Sequence, residues 1–176
     1  MKKKFGIILG IILLISLFIG GKKYMDKKAV EKSYQDGIEL IQNYVTDYLV
    51  KNYEGIEKIE WQGVGVEWRN SDIFGSSILG NYVNSKARIF VSEKDFFIIR
   101  FTLTEEAEYD DNSKKYVLKD YMNPTNLDSI IEMEIGNTTR QLKEKDKLVF
   151  KNIMKNSSGS PKAQVIYNTK IHELTY

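Results

Sequence analysis

The sequence predicts an α+β fold, in which an N-terminal transmembrane helix precedes one domain made of an amphipathic helix, a mainly antiparallel sheet of five to seven strands and a second helix. Three observations predict it: an apolar run at 5–21, an apolar stripe of helical spacing at 29–53, and alternating apolar residues in several segments beyond residue 58. Strands that follow one another between helices are typical of an antiparallel sheet packed against helices. The predicted division is therefore 1–28 for the membrane anchor and 29–176 for the domain.

The run at 5–21 predicts an uncleaved membrane anchor. Its 17 residues contain Ser16 as the only polar side chain, and as a helix they would span about 25 Å, near the lower limit for a hydrocarbon core. The alternatives are a cleaved signal peptide and a buried core helix. No small-residue cleavage pattern follows the run, which disfavours the first, and lysines flank it, which disfavours the second. A short basic head is typical of a signal-anchor. We expect a single-pass protein of the cell membrane whose residues 5–21 contact the lipid bilayer and whose C-terminal domain is extracytoplasmic.

Charge is distributed unevenly along the chain. The first 28 residues hold seven Lys and one Asp, a charge of +6, so the remaining 148 residues carry −4 of the overall +2. A nucleic-acid-binding domain normally has a Lys- and Arg-rich surface, and we therefore expect no nucleic-acid partner. The 148 residues suit one domain, and the 11 Tyr of the chain favour recognition of a protein partner.

Apolar residues at 29–53 recur every three or four positions, which predicts an amphipathic helix packed on the domain. Gly37 weakens this helix by about 1 kcal/mol relative to Ala, and Gly55 is placed to end it. A coiled-coil stalk is the alternative, but it needs a longer repeat.

The strands are predicted from alternation. The segment 59–68 shifts its apolar phase by one residue across Gly63, and a bulge there would bring both halves onto one face of the sheet. Residues 70–81 are rich in Ser and Gly and predict a long loop with apolar tips. Strands are predicted at 87–92 and 96–104, and the second is apolar on both faces through most of its length, so we expect it in the centre of the sheet.

The last part of the domain begins with five acidic residues in the seven at 105–111, followed by a turn, which predicts a hairpin with an acidic arm at 105–121. Further on, the sequence predicts a strand at 127–135, a helix at 138–156, and a last strand or hairpin at 163–176.

Groups for catalysis and metal binding are scarce. A Ser or Cys nucleophile needs a base nearby, and the chain has His172 as its single His and no Cys, which also leaves no zinc constellation. Carboxylate pairs such as Glu57 and Glu60 are conceivable for glycoside chemistry, but nothing singles out a pair. We predict no enzyme activity, no cofactor and no metal site.

The acidic hairpin arm is the predicted partner-binding surface, because clustered carboxylates focus a negative field that steers a basic partner. A solvated arm that keeps the domain soluble is the alternative. The residues of the predicted surface are Glu105, Glu106, Glu108, Asp110 and Asp111.

A Lys-rich head, one anchor, a helix and then the run YLVKNYEGIEKIEW at 48–61 resemble the small membrane-anchored extracytoplasmic proteins of Gram-positive bacteria, among them the TipC-type immunity proteins. The resemblance covers the layout of the whole chain, and sequence likeness is confined to 44–68. It implies a binding role at the outer face of the membrane and assigns no functional residue.

We therefore expect a membrane-tethered protein-binding module, an immunity protein that neutralises a secreted toxin through its sheet face, its acidic hairpin or both. Two alternatives stay open. The first is a structural or assembly subunit of an envelope or secretion machine, for which Gly6 and Gly10 allow helix pairing. The second is a sensor that binds a small ligand or lipid in a pocket under the 70–81 loop.

Overall fold

The computed structural model describes residues 2–69 and 80–174, with side chains from Met25 onward. The chain divides into two compact units between Ser33 and Tyr34. The first is part of helix α1, and everything below concerns the second. The predicted boundary after Lys28 stays a prediction, and most of the 70–81 loop, with the pocket predicted under it, lies outside the described residues.

Helix α1 spans Lys2–Asn52, and its C-terminal part is amphipathic as predicted. Ile38, Ile41, Val45 and Leu49 are at most 1% exposed, and they form one stripe because their spacing is three or four residues. Within the described part of the chain, no helix is both long and apolar enough to cross a membrane, since α1 carries charged residues throughout from Met25 onward. This finding overturns the predicted single-pass membrane localisation. The predicted anchor at 5–21 lies where no side chain is described.

The main sheet has six strands in four rows. Strands β2 (Lys58–Trp61) and β3 (Val64–Glu67) lie end to end and pair antiparallel with β4 (Tyr82–Phe90), whose other edge pairs antiparallel with β5 (Phe96–Thr102). Strands β9 (Gln164–Ile166) and β10 (Ile171–Glu173) pair in parallel with β2 and β3. The α+β class and the mainly antiparallel sheet are thus confirmed, whereas a hairpin at 163–176 is wrong because each strand there joins a different neighbour.

The predicted bulge at Gly63 is confirmed. Between the pairs Trp61↔Ala87 and Gly65↔Asn84, three residues of one row lie opposite two residues of β4. Gly63 has φ +94°, a conformation that a side chain disfavours, and the extra residue it provides brings Trp61 and Val64 onto the same buried face.

One hydrophobic core lies between this face of the sheet and the helices. Trp61 is 1% exposed, its ring lies 6.1 Å from that of Phe101, and its Nε1 donates to Thr46 Oγ1 of α1 at 2.9 Å. Helix α3 (Pro124–Thr139) adds Leu127 and Ile131 to the core, each 1% exposed.

Helix α3 replaces the strand predicted at 127–135. The Asn123 side chain accepts the N–H of Asn126, and Pro124 occupies the first turn, so the local sequence starts a helix there. Leu127 and Ile131 are four residues apart and face the core, whereas Met133, part of the apparent alternation, is 54% exposed. The apolar alternation that predicted a strand therefore belongs to a helix, of which only some apolar residues face the core.

The hairpin predicted at 105–121 is confirmed as β6 (Ala107–Asp110) paired with β7 (Lys115–Leu118), and a single turn, α2 (Leu103–Glu106), precedes it. Close packing of this region against α1 requires a glycine at position 37. A Cβ at Gly37 would lie 2.5 Å from Leu103 Cδ1 and 3.0 Å from the Tyr116 ring, so the glycine lets α2 and β7 pack against the helix.

Two other predictions are corrected. Strand β5 is at the edge of the sheet rather than its centre, since it pairs only with β4 among the described strands, and α3 packs on it. The helix predicted at 138–156 is the short α4 (Glu144–Lys147) followed by a 3-10 helix (Leu148–Asn152). The remaining small sheet pairs β1 (Tyr53–Glu54) with β8 (Met154–Lys155).

Candidate functional site

The face of the main sheet that points away from the core is the candidate functional site. Strand residues alternate between faces, so the even-numbered residues of β4 and β5 point outward when Ala87, Ile89, Phe97 and Ile99 point into the core. No helix of the described chain packs on the outward face. We call it the open face, and its residues are Lys58, Glu60, Gln62, Asn84, Lys86, Arg88, Phe90, Phe96, Ile98, Arg100 and His172.

Glu60 is the centre of a polar cluster on the open face. Its carboxylate lies 3.1 Å from Lys58 Nζ and 3.5 Å from an Arg88 nitrogen, and it accepts a hydrogen bond from Gln62 Nε2 at 2.9 Å. The hydrogen bonds from Gln62 and Lys58 hold the pKa of Glu60 below its ordinary value. This carboxylate is therefore an ionised, saturated acceptor and not a proton donor.

An aromatic pair lies beside this cluster at the end of β4 and β5. The rings of Phe90 and Phe96 are 5.1 Å apart, with Lys58 Nζ 3.8 Å above the first ring and the Arg88 guanidinium 5.5 Å from the second. Cations are attracted to aromatic faces, and of the two rings Phe96 is half-buried whereas Phe90 is only 7% exposed.

Two cations oppose each other on the open face. Lys86 of β4 is paired in register with Arg100 of β5, and neither side chain has an acidic partner among the described residues. Like charges directly opposite each other disfavour the pairing of two strands, and Arg100 is exposed to solvent.

A shallow depression of about 300 Å³ lies at the bulge, between the rows of β4 and β10. Its apolar lining comes from Ile98 and Leu174. Its polar lining comes from Gln62, Asn84, Lys86, Arg88 and His172. Gly65 makes room for it, since a Cβ there would lie 2.7 Å from Leu174 Cδ2 and 3.0 Å from Asn84 Oδ1.

The predicted acidic surface is only partly a surface. Glu105 and Glu108 are exposed, and Asp111 is exposed and lies 3.5 Å from Lys114 Nζ. Asp110 is half-buried, and hydrogen bonds from the Ser113 side chain and from the N–H groups of Asn112 and Ser113 in the turn lower the pKa of its carboxyl. The binding role of these four carboxylates stays a prediction.

Glu106, the fifth member, is 4% exposed and cannot belong to that surface. Its carboxylate accepts the backbone N–H of Thr102 at 2.7 Å, at the point where β5 turns into α2. Burial raises the pKa of Glu106 to about 7, against the opposing effect of the Thr102 hydrogen bond.

A second polar cluster joins three distant parts of the chain. Asp128 of α3 accepts the hydroxyls of Tyr48 and Tyr53 at 2.6 and 2.7 Å and lies 2.5 Å from Lys155 Nζ. Burial opposes ionisation of Asp128, but the hydrogen bonds from Lys155 and the two tyrosines hold its pKa below its ordinary value. The cluster ties α1 and β8 to α3, which is a structural role.

The other residues considered from sequence take no part in a common centre. His172 is exposed at the rim of the depression, and Glu57 is exposed outside the Glu60 cluster. In the described chain, no group of three or more His, Asp or Glu side chains is placed to hold a metal ion.

The row of outward residues Asn84, Lys86 and Arg88 on β4, here called the basic row, was not predicted from the sequence, because the strand was predicted to begin at residue 87. Alternation extends back to Tyr82, and it would have placed Asn84, Lys86 and Arg88 together on one face. No family model matches the chain, and no curated protein or solved structure matches it significantly.

Proposed function

We propose that the domain is a protein-binding module that neutralises its partner by covering it with the open face, as an immunity protein covers a toxin. The observation that carries this proposal is that the described chain leaves the outward face of a six-stranded sheet uncovered. That face presents Ile98, 41% exposed, among aromatic and charged side chains. A rigid, exposed surface that mixes apolar and charged groups is typical of a recognition site.

The charge of the open face specifies the partner's chemistry. The face carries four cations, Lys58, Lys86, Arg88 and Arg100, against the carboxylate of Glu60, while Glu67 at the end of β3 is ion-paired with Arg69. We therefore propose an acidic surface on the partner, which would be steered to the face and would associate faster at low salt. This is the opposite polarity to the partner predicted for the acidic hairpin.

Binding rather than catalysis is the proposed activity. The groups that line the face are ammonium, guanidinium and amide groups on strands, which hold a ligand by charge and hydrogen bonds. The Glu60 carboxylate is already hydrogen-bonded to Gln62 and ion-paired to two cations. The resemblance to immunity proteins noted above points to the same kind of role.

Site-specific photo-crosslinking in the source cells tests the proposal. The full chain would carry a benzophenone amino acid at Ile98, or at Met133 on the exposed side of α3 as the matched position. We expect one protein adduct from position 98 and none from position 133. Loss of the adduct is expected when Lys86 and Arg100 are both changed to Glu.

The identified partner is then expressed alone and with the protein. We expect the partner alone to stop growth, the parent chain to restore growth, and the Lys86→Glu, Arg100→Glu variant to fail. A Lys145→Glu, Lys151→Glu variant, with the same charge change at exposed positions, should still protect. Equal adducts from both positions, or a partner without toxicity, would contradict this function.

A further inference from the structure

The depression at the bulge has the features of a built site for an anion. Asn84 is 5% exposed as a residue, and its side chain makes no hydrogen bond to any described residue. Among the described residues, its amide atoms are not fully buried polar atoms without a partner, so they keep contact with solvent in the depression, where a ligand would replace that water. Asn84 lines the depression, and its Oδ1 lies against Gly65, which leaves the Nδ2 hydrogens to donate into the depression.

The neighbours of Asn84 on the same row are also donors. Asn84, Lys86 and Arg88 occupy successive outward positions of β4, so an amide, an ammonium and a guanidinium follow one another along the depression. Lys86 has no acidic partner among the described residues and lies opposite the cation of Arg100. Arg88 is also ion-paired with Glu60, but the Asn84 amide and the Lys86 ammonium have no described acceptor, and such adjacent donors are complementary to a carboxylate, which accepts several hydrogen bonds at once.

The apolar part of the lining distinguishes a protein side chain from a free inorganic anion. Ile98 and Leu174 flank the donors, and Ile98 is 41% exposed. A free phosphate would leave these groups in water, whereas a carboxylate flanked by apolar residues would cover them. This difference favours an Asp or Glu side chain within an apolar stretch of a protein.

We propose that the depression binds a carboxylate side chain of the protein partner, held by the Asn84 amide and the Lys86 and Arg88 cations, with apolar residues beside it covering Ile98. This rests on the proposed function, because it names the anchoring contact of that same face. The contact would lie near the middle of the open face, where buried charged hydrogen bonds contribute most to binding.

The test is a titration of the full chain, labelled with ¹⁵N, with two blocked tripeptides, N-acetyl-Leu-Glu-Leu-amide and N-acetyl-Leu-Gln-Leu-amide. The signal is the Asn84 side-chain NH₂ group, identified by its absence in an Asn84→Ala variant. We expect a saturable shift with the Glu peptide and about tenfold weaker binding of the Gln peptide, the effect of losing one charged hydrogen bond.

Lys86→Gln should weaken the Glu peptide by about tenfold for the same reason, whereas Lys145→Gln on α4 should leave binding unchanged. Inorganic phosphate is the third titrant. A shift of the Asn84 signal as large with phosphate as with the Glu peptide would overturn the assignment to a protein side chain, and so would equal binding of the Glu and Gln peptides.

Failure of this site and failure of the proposed function give different results. If the peptides do not bind while the crosslinked partner still depends on Lys86 and Arg100, the carboxylate site is wrong and the binding function stands. If the Glu peptide binds selectively while no specific adduct forms at position 98, the site stands and the proposed function is wrong.

Discussion

Replacing Glu106 by Gln should make the stability of the domain much less dependent on pH between 5 and 8. The carboxylate is buried and its pKa is about 7, whereas an unfolded Glu titrates near 4.5. Between these values the folded chain holds a proton that the unfolded chain has lost, so stability falls as pH rises. The contribution is complete below pH 4.5, decreases through the window and is lost above pH 7.

The magnitude follows from the displacement of the pKa. Each pKa unit corresponds to about 1.4 kcal/mol, so a rise from 4.5 to about 7 corresponds to at most about 3 kcal/mol. Solvent screening reduces this, and we expect about 2 kcal/mol between pH 5 and pH 8. Glutamine keeps an oxygen that can accept the Thr102 N–H, but it has no charge to bury.

Urea unfolding of the full chain, followed by the fluorescence of Trp61 and Trp68, measures the effect at pH 5, 6, 7 and 8. We expect Glu106→Gln to equal the parent at pH 5 and to exceed it by about 2 kcal/mol at pH 8. Glu108→Gln removes an exposed carboxylate from the same hairpin and should follow the parent at every pH. Parallel curves for Glu106→Gln and the parent would refute this account of the buried carboxylate.

Two further substitutions test the fold. Gly63→Ala should destabilise the domain by about 2–4 kcal/mol, because φ is +94° and the new Cβ would lie 2.7 Å from the Lys170 carbonyl oxygen. Gly136→Ala, in open space on α3, should stabilise it by about 0.5–1 kcal/mol, and equal unfolding midpoints for the two variants would contradict the bulge. Asp128→Asn should lower the free energy of unfolding by about 1–2 kcal/mol at pH 6 and by less at pH 3. The reason is that a carboxylate with a lowered pKa stabilises the fold above its unfolded pKa and stops doing so as pH falls through its folded pKa. A pH-independent loss in urea unfolding would contradict the ion pair.

Features encoded by neighbouring residues could be predicted from the sequence. The bulge at Gly63 was predictable because the apolar phase shifts within one short segment. The apolar stripe of α1 was predictable because each helical turn repeats it. The strand order could not be predicted in the same way. Strands β9 and β10 join β2 and β3 from about 100 residues further along the chain, and nothing in their own sequences names those neighbours.

The position of β5 shows why a hydrophobic strand can still be an edge strand. Its outward residue Ile98 is apolar, which suggested burial on both faces, but the residue is 41% exposed on the open face. Sequence composition reports what a face is made of and not what covers it. Ile98 is therefore an exposed apolar residue on which the proposed partner contact rests.

The acidic cluster shows a limit of counting charges. Five carboxylates in seven residues are visible in the sequence, but only the fold separates Glu106, which points inward from a single helical turn, from exposed neighbours such as Glu105. The basic row on β4 is the opposite case: it is not apparent as a cluster in the sequence, because its cations are two residues apart with core residues between them, but the fold places them on one face.

The bulge joins the core to the open face. A bulge frees backbone groups from the ladder, and here Ser85 Oγ donates to the Gly63 carbonyl oxygen at 2.8 Å from within the buried layer. Gln42 of α1, fully buried, donates to Ser85 Oγ at 3.2 Å and to the Asn168 carbonyl oxygen at 2.8 Å. Ser85 and Gln42 are buried polar residues that supply hydrogen bonds to the bulge and to the chain beside it from the core side. The depression on the opposite side is therefore held rigid by buried hydrogen bonds, which is the property that a preorganised binding site requires.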